Sequence, residues 1–485
     1  MVEMSSPTPA GIPAGNGRRC RGSAIVAVVV VCAAIAVPLT TSSTGATTTA
    51  LTTQPVATGL NYPSMFTAAP DGRFFYSEVS TGRIGVVNGG ADTTYFRVPD
   101  VCGWGMFGVA LHPDFPSDPS VYAYATRTGA SGACENQVLR IAPGAGGELA
   151  MTVLLTDPYV AGHVGGRLLF GPDRHLYVAT GDGASGLPTS DAERAQRAAA
   201  QDLSSLKGKI LRVTATGAAA TGNPFGNHVF AYGFRNVFGL AFDPSGGRLW
   251  ATDNGPDPSY ADDPRGPGPS GGCNDEVNLV VAGANYGWGP TGSCATPPDP
   301  PYNSNRDGPS PVLPQVNLVA ASGITGAAFC SGCGLGAEYE GRLLYVDYDY
   351  RLDMGEIRAA TLSADRSSVV SDVAVYRVPG RSPLSIERGP DGALYYSDSG
   401  SIRRLVATAT STTTTTTTAT STTTTTAPPS GGTPTPLVTS ATPTNLRRDF
   451  DGWVGMQVRI GAGDVRVSSV GRWVVGGNRD PHPVK

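Results

Sequence analysis

Charge is scarce in this chain. Only 15% of its 485 residues are Asp, Glu, Lys or Arg, and 35 basic against 39 acidic residues leave a formal net charge of -4. No basic stripe is present to neutralise a phosphate backbone, which excludes nucleic acid as a partner class. Long apolar runs are also missing, apart from residues 24–39, which follow Arg18, Arg19 and Arg21 and precede a Ser/Thr-rich stretch. That run falls short of the roughly 20 residues a bilayer span needs, so it reads as the core of a cleaved export signal. The expectation is a secreted, extracellular or periplasmic protein whose residues 1–45 are signal and tail. Contact with a membrane follows only if that segment stays uncleaved.

Cysteine is sparse too. Eight residues become six once Cys20 and Cys32 leave with the signal, and an even number in an oxidising compartment points to disulfides. Proximity along the chain suggests Cys102 with Cys134, Cys273 with Cys294, and Cys330 with Cys333, although six cysteines leave fifteen connectivities open. A metal site is the rival reading for Cys330 and Cys333, but no second ligand pair of zinc-site spacing follows them.

What the chain does have is punctuation, with 64 Gly and 40 Pro. A tight Pro-Asp-Gly-like turn followed at once by alternating aromatic and aliphatic residues recurs along it. Copies stand at Pro70, Pro113, Pro172, Pro244 and Pro390, and a weaker one at Glu340-Gly341. Proline presets the first turn position and glycine accepts a positive φ, so each copy reads as a hairpin turn feeding a half-buried strand. Short Gly-x-Ile segments beginning at Gly82, Gly208, Gly355 and Gly400 read as the next strand of the same unit. The first four turn prolines lie 43, 59 and 72 residues apart, intervals that suit four-stranded blades with variable loops. Six copies predict an all-β, six-bladed β-propeller over residues 52–406, with a β-sandwich as the alternative from the pattern alone. One helix is expected, from a Ser190 cap to Leu206.

Residues 407–445 are nearly all Thr, Ser, Ala and Pro and read as a disordered linker, and residues 446–485 alternate again as a short β segment too small to fold alone.

Three clusters carry candidate chemistry. His163 precedes a strand, and Asp182 follows it in a Gly-Asp-Gly context. A histidine of this kind serves as general base near neutral pH when a carboxylate fixes its tautomer; read from the residues alone, a hydrogen-bonded structural histidine is the favoured alternative. Arg235 and Asn236 precede the next repeat, where an arginine either stabilises charge on a reacting oxygen or braces a loop. Gly255 and Pro256, with acidic residues downstream, offer hard oxygen ligands of the sort calcium takes.

Together these segments resemble the soluble pyrroloquinoline quinone (PQQ) dependent glucose, aldose and sorbosone dehydrogenases. The carrying stretches are residues 105–115 (GMFGVALHPDF), 163–182, 208–213 (GKILRV), 233–244, 275–279 (DEVNL) and 285–288 (NYGW). The resemblance implies that His163 takes the proton from the anomeric hydroxyl of a sugar, oriented by Asp182, while hydride passes to PQQ and the sugar becomes a lactone. Arg235 and Asn236 would face the quinone, and the carbonyls of Gly255 and Pro256 would hold its calcium. An external acceptor would take the electrons. The last third departs from the family. Where members hold the quinone carboxylates with a fifth-blade lysine and two arginines, this chain has Asp347-Tyr348-Asp349-Tyr350 and positions near Ser382 and Leu384, with Arg381 as a nearby substitute. That stretch is similar to the hedgehog-interacting-protein-like branch. It supports the alternative of a non-catalytic propeller that binds carbohydrate or a partner and has lost PQQ.

Overall fold

The computed structural model describes residues 49–184, 191–255, 274–290, 307–319, 323–349, 354–379 and 383–409. The expected signal segment, Pro256, Cys273, Cys294, Arg381 and the C-terminal β segment lie outside them.

The turns behave as their chemistry dictates. Gly72 takes φ +91° and closes the first Pro-Asp-Gly turn by donating its amide to Ala69 O, while Ala69 N donates to Arg73 O. The strand Phe74–Glu78 follows at once. Repetition of this unit gives six antiparallel four-stranded sheets, the expected six-bladed propeller. The blades occupy residues 63–97, 101–158, 165–232, 237–319, 324–379 and 385–409. The Gly-x-Ile segments supply the third strand of blades 1, 3, 5 and 6, as in Lys209–Val213 and Ser401–Ala409.

Blade 6 is completed from the other end of the chain. Thr49–Thr58 pairs antiparallel with Ser401–Ala409, from Thr49 opposite Ala409 to Thr58 opposite Ser401. This tie joins the first blade-forming residues to the last and leaves the ring without a seam. The propeller thus reaches slightly beyond the expected 52–406 at both ends.

The core sits between blades. Successive side chains of a strand point to opposite faces, so Phe75 packs against Met106, Val109 and Ala123 of blade 2, while Phe74 and Tyr76 pack against Tyr395 and Ile402 of blade 6. Six such clusters, one at each inter-blade junction, hold the ring together.

Two of the three expected disulfides fall within the described residues, and both are formed: Cys102–Cys134 and Cys330–Cys333. The first closes a loop with a sequence separation of 32 residues, a constraint worth about 3–4 kcal/mol in the chain-entropy picture. The second rules out the metal reading for that pair.

The helix is shorter than expected, Asp191–Ala198 rather than a run to Leu206. The carbonyls that would continue it are taken elsewhere. Buried Lys209 donates its Nζ to Ala199 O (2.7 Å), Ala200 O (2.9 Å) and Lys207 O (2.6 Å), and Gly233 N donates to Ala200 O.

Candidate functional site

The innermost strand of each blade lines the central channel, and the loops that enter these strands crowd one mouth. His163 enters Gly165–Phe170 of blade 3, and Arg235-Asn236 enters Val237–Phe242 of blade 4. Backbone bonds lock the two loops together. Gly181 bridges Asn236, and Asp182 N donates to Arg235 O at 2.8 Å. Gly181 is required for this approach, since a Cβ there would lie 1.9 Å from His163 O. His163 itself holds φ +25°, a strained conformation for a side-chain-bearing residue of the kind that concentrates at functional sites.

The structure brings His163 and Asp182 together. His163 Nδ1 lies 2.8 Å from Asp182 Oδ1, and Arg235 Nη2 donates to His163 Nε2 at 2.8 Å. A guanidinium only donates, so Nε2 carries the lone pair and Nδ1 the proton. The tautomer is therefore fixed from both sides. Burial and the Arg235 charge push the His163 imidazole below its ordinary value, which leaves it neutral, as a base must be. Burial works against ionising Asp182, but the hydrogen bond from His163, the Arg235 charge and the Ala184 amide outweigh it and hold the carboxyl below the usual range.

Arg235 is anchored by Asn254, donating Nη1 to its backbone O at 2.7 Å and to its Oδ1 at 3.2 Å. The amides of Arg235 and Asn236 donate to the Asp253 carboxylate at 3.0 and 2.6 Å, and burial pushes that group up to about 6. Asn236 does not present its amide oxygen to the channel. Its Oδ1 accepts the Gly165 amide at 2.9 Å, bracing the His163 loop. Gly255, the described member of the expected calcium pair, donates its N–H to Asp275 Oδ1 at 2.7 Å, and Ile324 N donates to Oδ2 at 2.6 Å. Burial, with the Asp347 charge, pushes Asp275 up to about 7.

Three neighbours were not legible as site residues. Trp288 is fully buried and donates its indole N–H to Asp182 Oδ2 at 2.7 Å. Arg197 stacks over that indole at 5.0 Å and Arg235 at 5.7 Å. Trp104 is the third, 54% exposed, with its indole N–H on Ala161 O at 3.1 Å, two residues from His163. Only the NYGW motif signalled one of them, and it carried no role. Deeper in the channel, Phe107 of blade 2 meets Phe238 of blade 4 edge to face at 6.0 Å, and Arg167 of blade 3 pairs with Glu387 of blade 6.

The arrangement unites a neutral base, its orienting carboxylate and a guanidinium within one hydrogen-bonded chain at a channel mouth, which suits proton abstraction beside developing negative charge. The chain also matches known proteins. Residues 60–406 match the glucose/sorbosone dehydrogenase family model. The chain is 30% identical over 260 residues to quinoprotein glucose dehydrogenase B of Acinetobacter calcoaceticus, covering 48% of this chain and 51% of that protein, so it spans about half that relative's length. It is 26% identical over 324 residues to an aldose sugar dehydrogenase of Escherichia coli, covering 61% of this chain and 76% of that one. The PQQ-bound structure of aldose sugar dehydrogenase from Streptomyces coelicolor superposes with a TM-score of 0.57 at 26% identity, over 75% of this chain and 99% of that one. With its six blades, its His163–Asp182–Arg235 chain and this match over most of its length, the protein belongs to the glucose/sorbosone dehydrogenase family.

Proposed function

We propose that this propeller is a secreted quinoprotein sugar dehydrogenase that oxidises the anomeric carbon of an aldose to the lactone. The observation that carries the reading is the His163 Nε2 lone pair, fixed by Asp182 on one side and met by Arg235 on the other. His163 takes the proton of the anomeric hydroxyl while the C–H bond at that carbon breaks as hydride, which leaves a C=O bond and balances the two-electron oxidation. Asp182 stabilises the imidazolium that results. Because Arg235 donates to the same lone pair the substrate needs, the sugar hydroxyl replaces Arg235 at Nε2, and the guanidinium turns to the reacting oxygens.

PQQ, when bound, supplies the hydride acceptor, and calcium supplies a Lewis acid to polarise it. The blade 3 and blade 4 side of the mouth suits an anionic quinone: Arg235 is the cation, with its Nη2 beside the base, and the Gly255 carbonyl belongs to a loop with the chemistry of a calcium ligand. An external electron acceptor is the second partner this reading requires. Among the described residues the far side is less basic. The blade 5 strand Leu343–Asp349 ends in Asp347, Tyr348 and Asp349, and Leu384 stands where an arginine would. This observation favours a second reading, a propeller that binds carbohydrate or a partner without PQQ. Titrating the protein with PQQ, with and without calcium, separates the two. Saturable, calcium-dependent binding supports the dehydrogenase, and no binding by folded protein supports the second reading.

Trp104 is placed to meet the sugar. An aromatic face this exposed, held by one hydrogen bond and by the Cys102–Cys134 bridge next to it, offers a stacking platform for the C–H face of a pyranose. Trp104→Ala is expected to raise KM for the sugar about tenfold, on the order of the stacking energy, with kcat within about twofold in steady-state assays. An unchanged KM would remove Trp104 from the sugar subsite.

A further inference from the structure

We infer that Trp288 is a positioning residue that sets the proton affinity of the His163–Asp182 pair through its indole N–H. The inference deepens the proposed function and rests on it for its catalytic meaning. Asp182 is fully buried and its carboxylate receives three donors: His163 Nδ1–H and the Ala184 amide on Oδ1, and Trp288 Nε1–H on Oδ2. Among the described residues, Trp288 supplies the donor to Oδ2, at 2.7 Å. It reaches Asp182 from 106 residues along the chain, so its presence depends on how blade 4 delivers it.

That delivery is built with care on every side. Trp288 N donates to Gly233 O at 2.8 Å, and Gln201 Nε2 donates both to Trp288 O (2.7 Å) and to Asn285 Oδ1 (2.9 Å). Tyr286, two residues before it, stacks on Phe234 at 4.3 Å next to Arg235. The indole ring has the Arg197 and Arg235 guanidiniums near it, at 5.0 and 5.7 Å. A phenylalanine would fill most of this volume. Only the N–H explains why the ring is aimed at a carboxylate oxygen.

The consequence follows from which species the bond favours. A donor on Oδ2 stabilises the carboxylate most when the pair is least protonated, because the anion is then least compensated. Removing that donor makes the pair hold its proton more tightly, whichever of the two groups carries it. The charged groups facing the pair are Arg235 and Arg197, with Asp253 beyond Arg235; both guanidiniums lie over the indole ring, so the change that leaves them in place is one that keeps the bicyclic ring and deletes only the N–H. Because Asp182 stays ionised beneath the imidazolium, only part of the bond's strength separates the two protonation states, and the apparent pKa of the pair should rise by on the order of half a unit.

The test is an NMR titration of the His163 ring in the full, cofactor-free protein, comparing wild type with Trp288→Phe and with a variant carrying benzothienylalanine at position 288. The latter keeps the indole shape and deletes only the N–H. A midpoint raised by about half a unit or more in both variants, with the acid limb of kcat/KM shifted alike, supports the inference. A midpoint unchanged in the benzothiophene variant overturns it and leaves Trp288 as packing. The titration needs neither PQQ nor sugar, so a protein without dehydrogenase activity would sink the proposed function and leave this result standing.

Discussion

Replacing His163 with alanine is expected to lower kcat for sugar oxidation by roughly 100- to 10,000-fold, the range that general-base catalysis contributes, while binding of PQQ persists. The expectation rests on one nitrogen. Nε2 is unprotonated because Arg235 donates to it, and Nδ1 is protonated because Asp182 accepts from it. No other histidine among the described residues is paired in this way: His112 and His175 sit with Asp114, Asp118 and Asp173 at the turn side of their blades. The same geometry sets the pH dependence. Burial and Arg235 lower the His163 pKa, so kcat/KM should hold as pH falls past the ordinary imidazole value and drop only below it. Activity that falls with an ordinary midpoint near 6.5 would mean that the base is less buried than described. An alanine variant with near wild-type kcat would remove His163 from the chemistry altogether.

Arg167→Ala is expected to destabilise the propeller by about 3–5 kcal/mol, the cost of leaving a buried partner charge alone. Arg167 and Glu387 meet across the channel from blades 3 and 6, with side chains 4% and 13% exposed. Because these blades face each other in a ring of six, the pair ties opposite walls that share no sheet. Burial already pushes Glu387 up to about 7 against the pull of Arg167. In the alanine variant Glu387 escapes its lone charge by taking a proton, which becomes costlier as pH rises. The loss measured by chemical denaturation should thus be larger at pH 8 than at pH 5, and Arg167→Ala with Glu387→Gln should recover most of it. Equal losses at both pH values, with no recovery in the double variant, would show that the pair contributes packing rather than charge.

Much of the fold was legible because its information is local. Each Pro-Asp-Gly turn fixes its own hairpin, so the blades can be counted from the chain, and the short separations of Cys102–Cys134 and Cys330–Cys333 made their pairing readable. The helix was overdrawn for the opposite reason. Ala199, Ala200 and Gln201 favour a helix, but Lys209 and Gly233 capture carbonyls that would extend it, and Asp202 accepts from the Ser204 amide and hydroxyl in a local turn instead. The site divides the same way. His163, Asp182 and Arg235 stand in recognisable loops, whereas Trp288, Arg197 and the Arg167–Glu387 pair gain their roles only from contacts between blades. Asn236 was legible as a site residue, but its hydrogen bond to Gly165 makes it a brace for the base.

The most direct test of the account is reduction of an artificial electron acceptor by the purified protein with PQQ, calcium and a panel of aldoses, run beside His163→Ala. The account predicts sugar-dependent reduction that requires both additions and is lost in the variant. Folded protein that neither binds PQQ nor reduces the acceptor would contradict it.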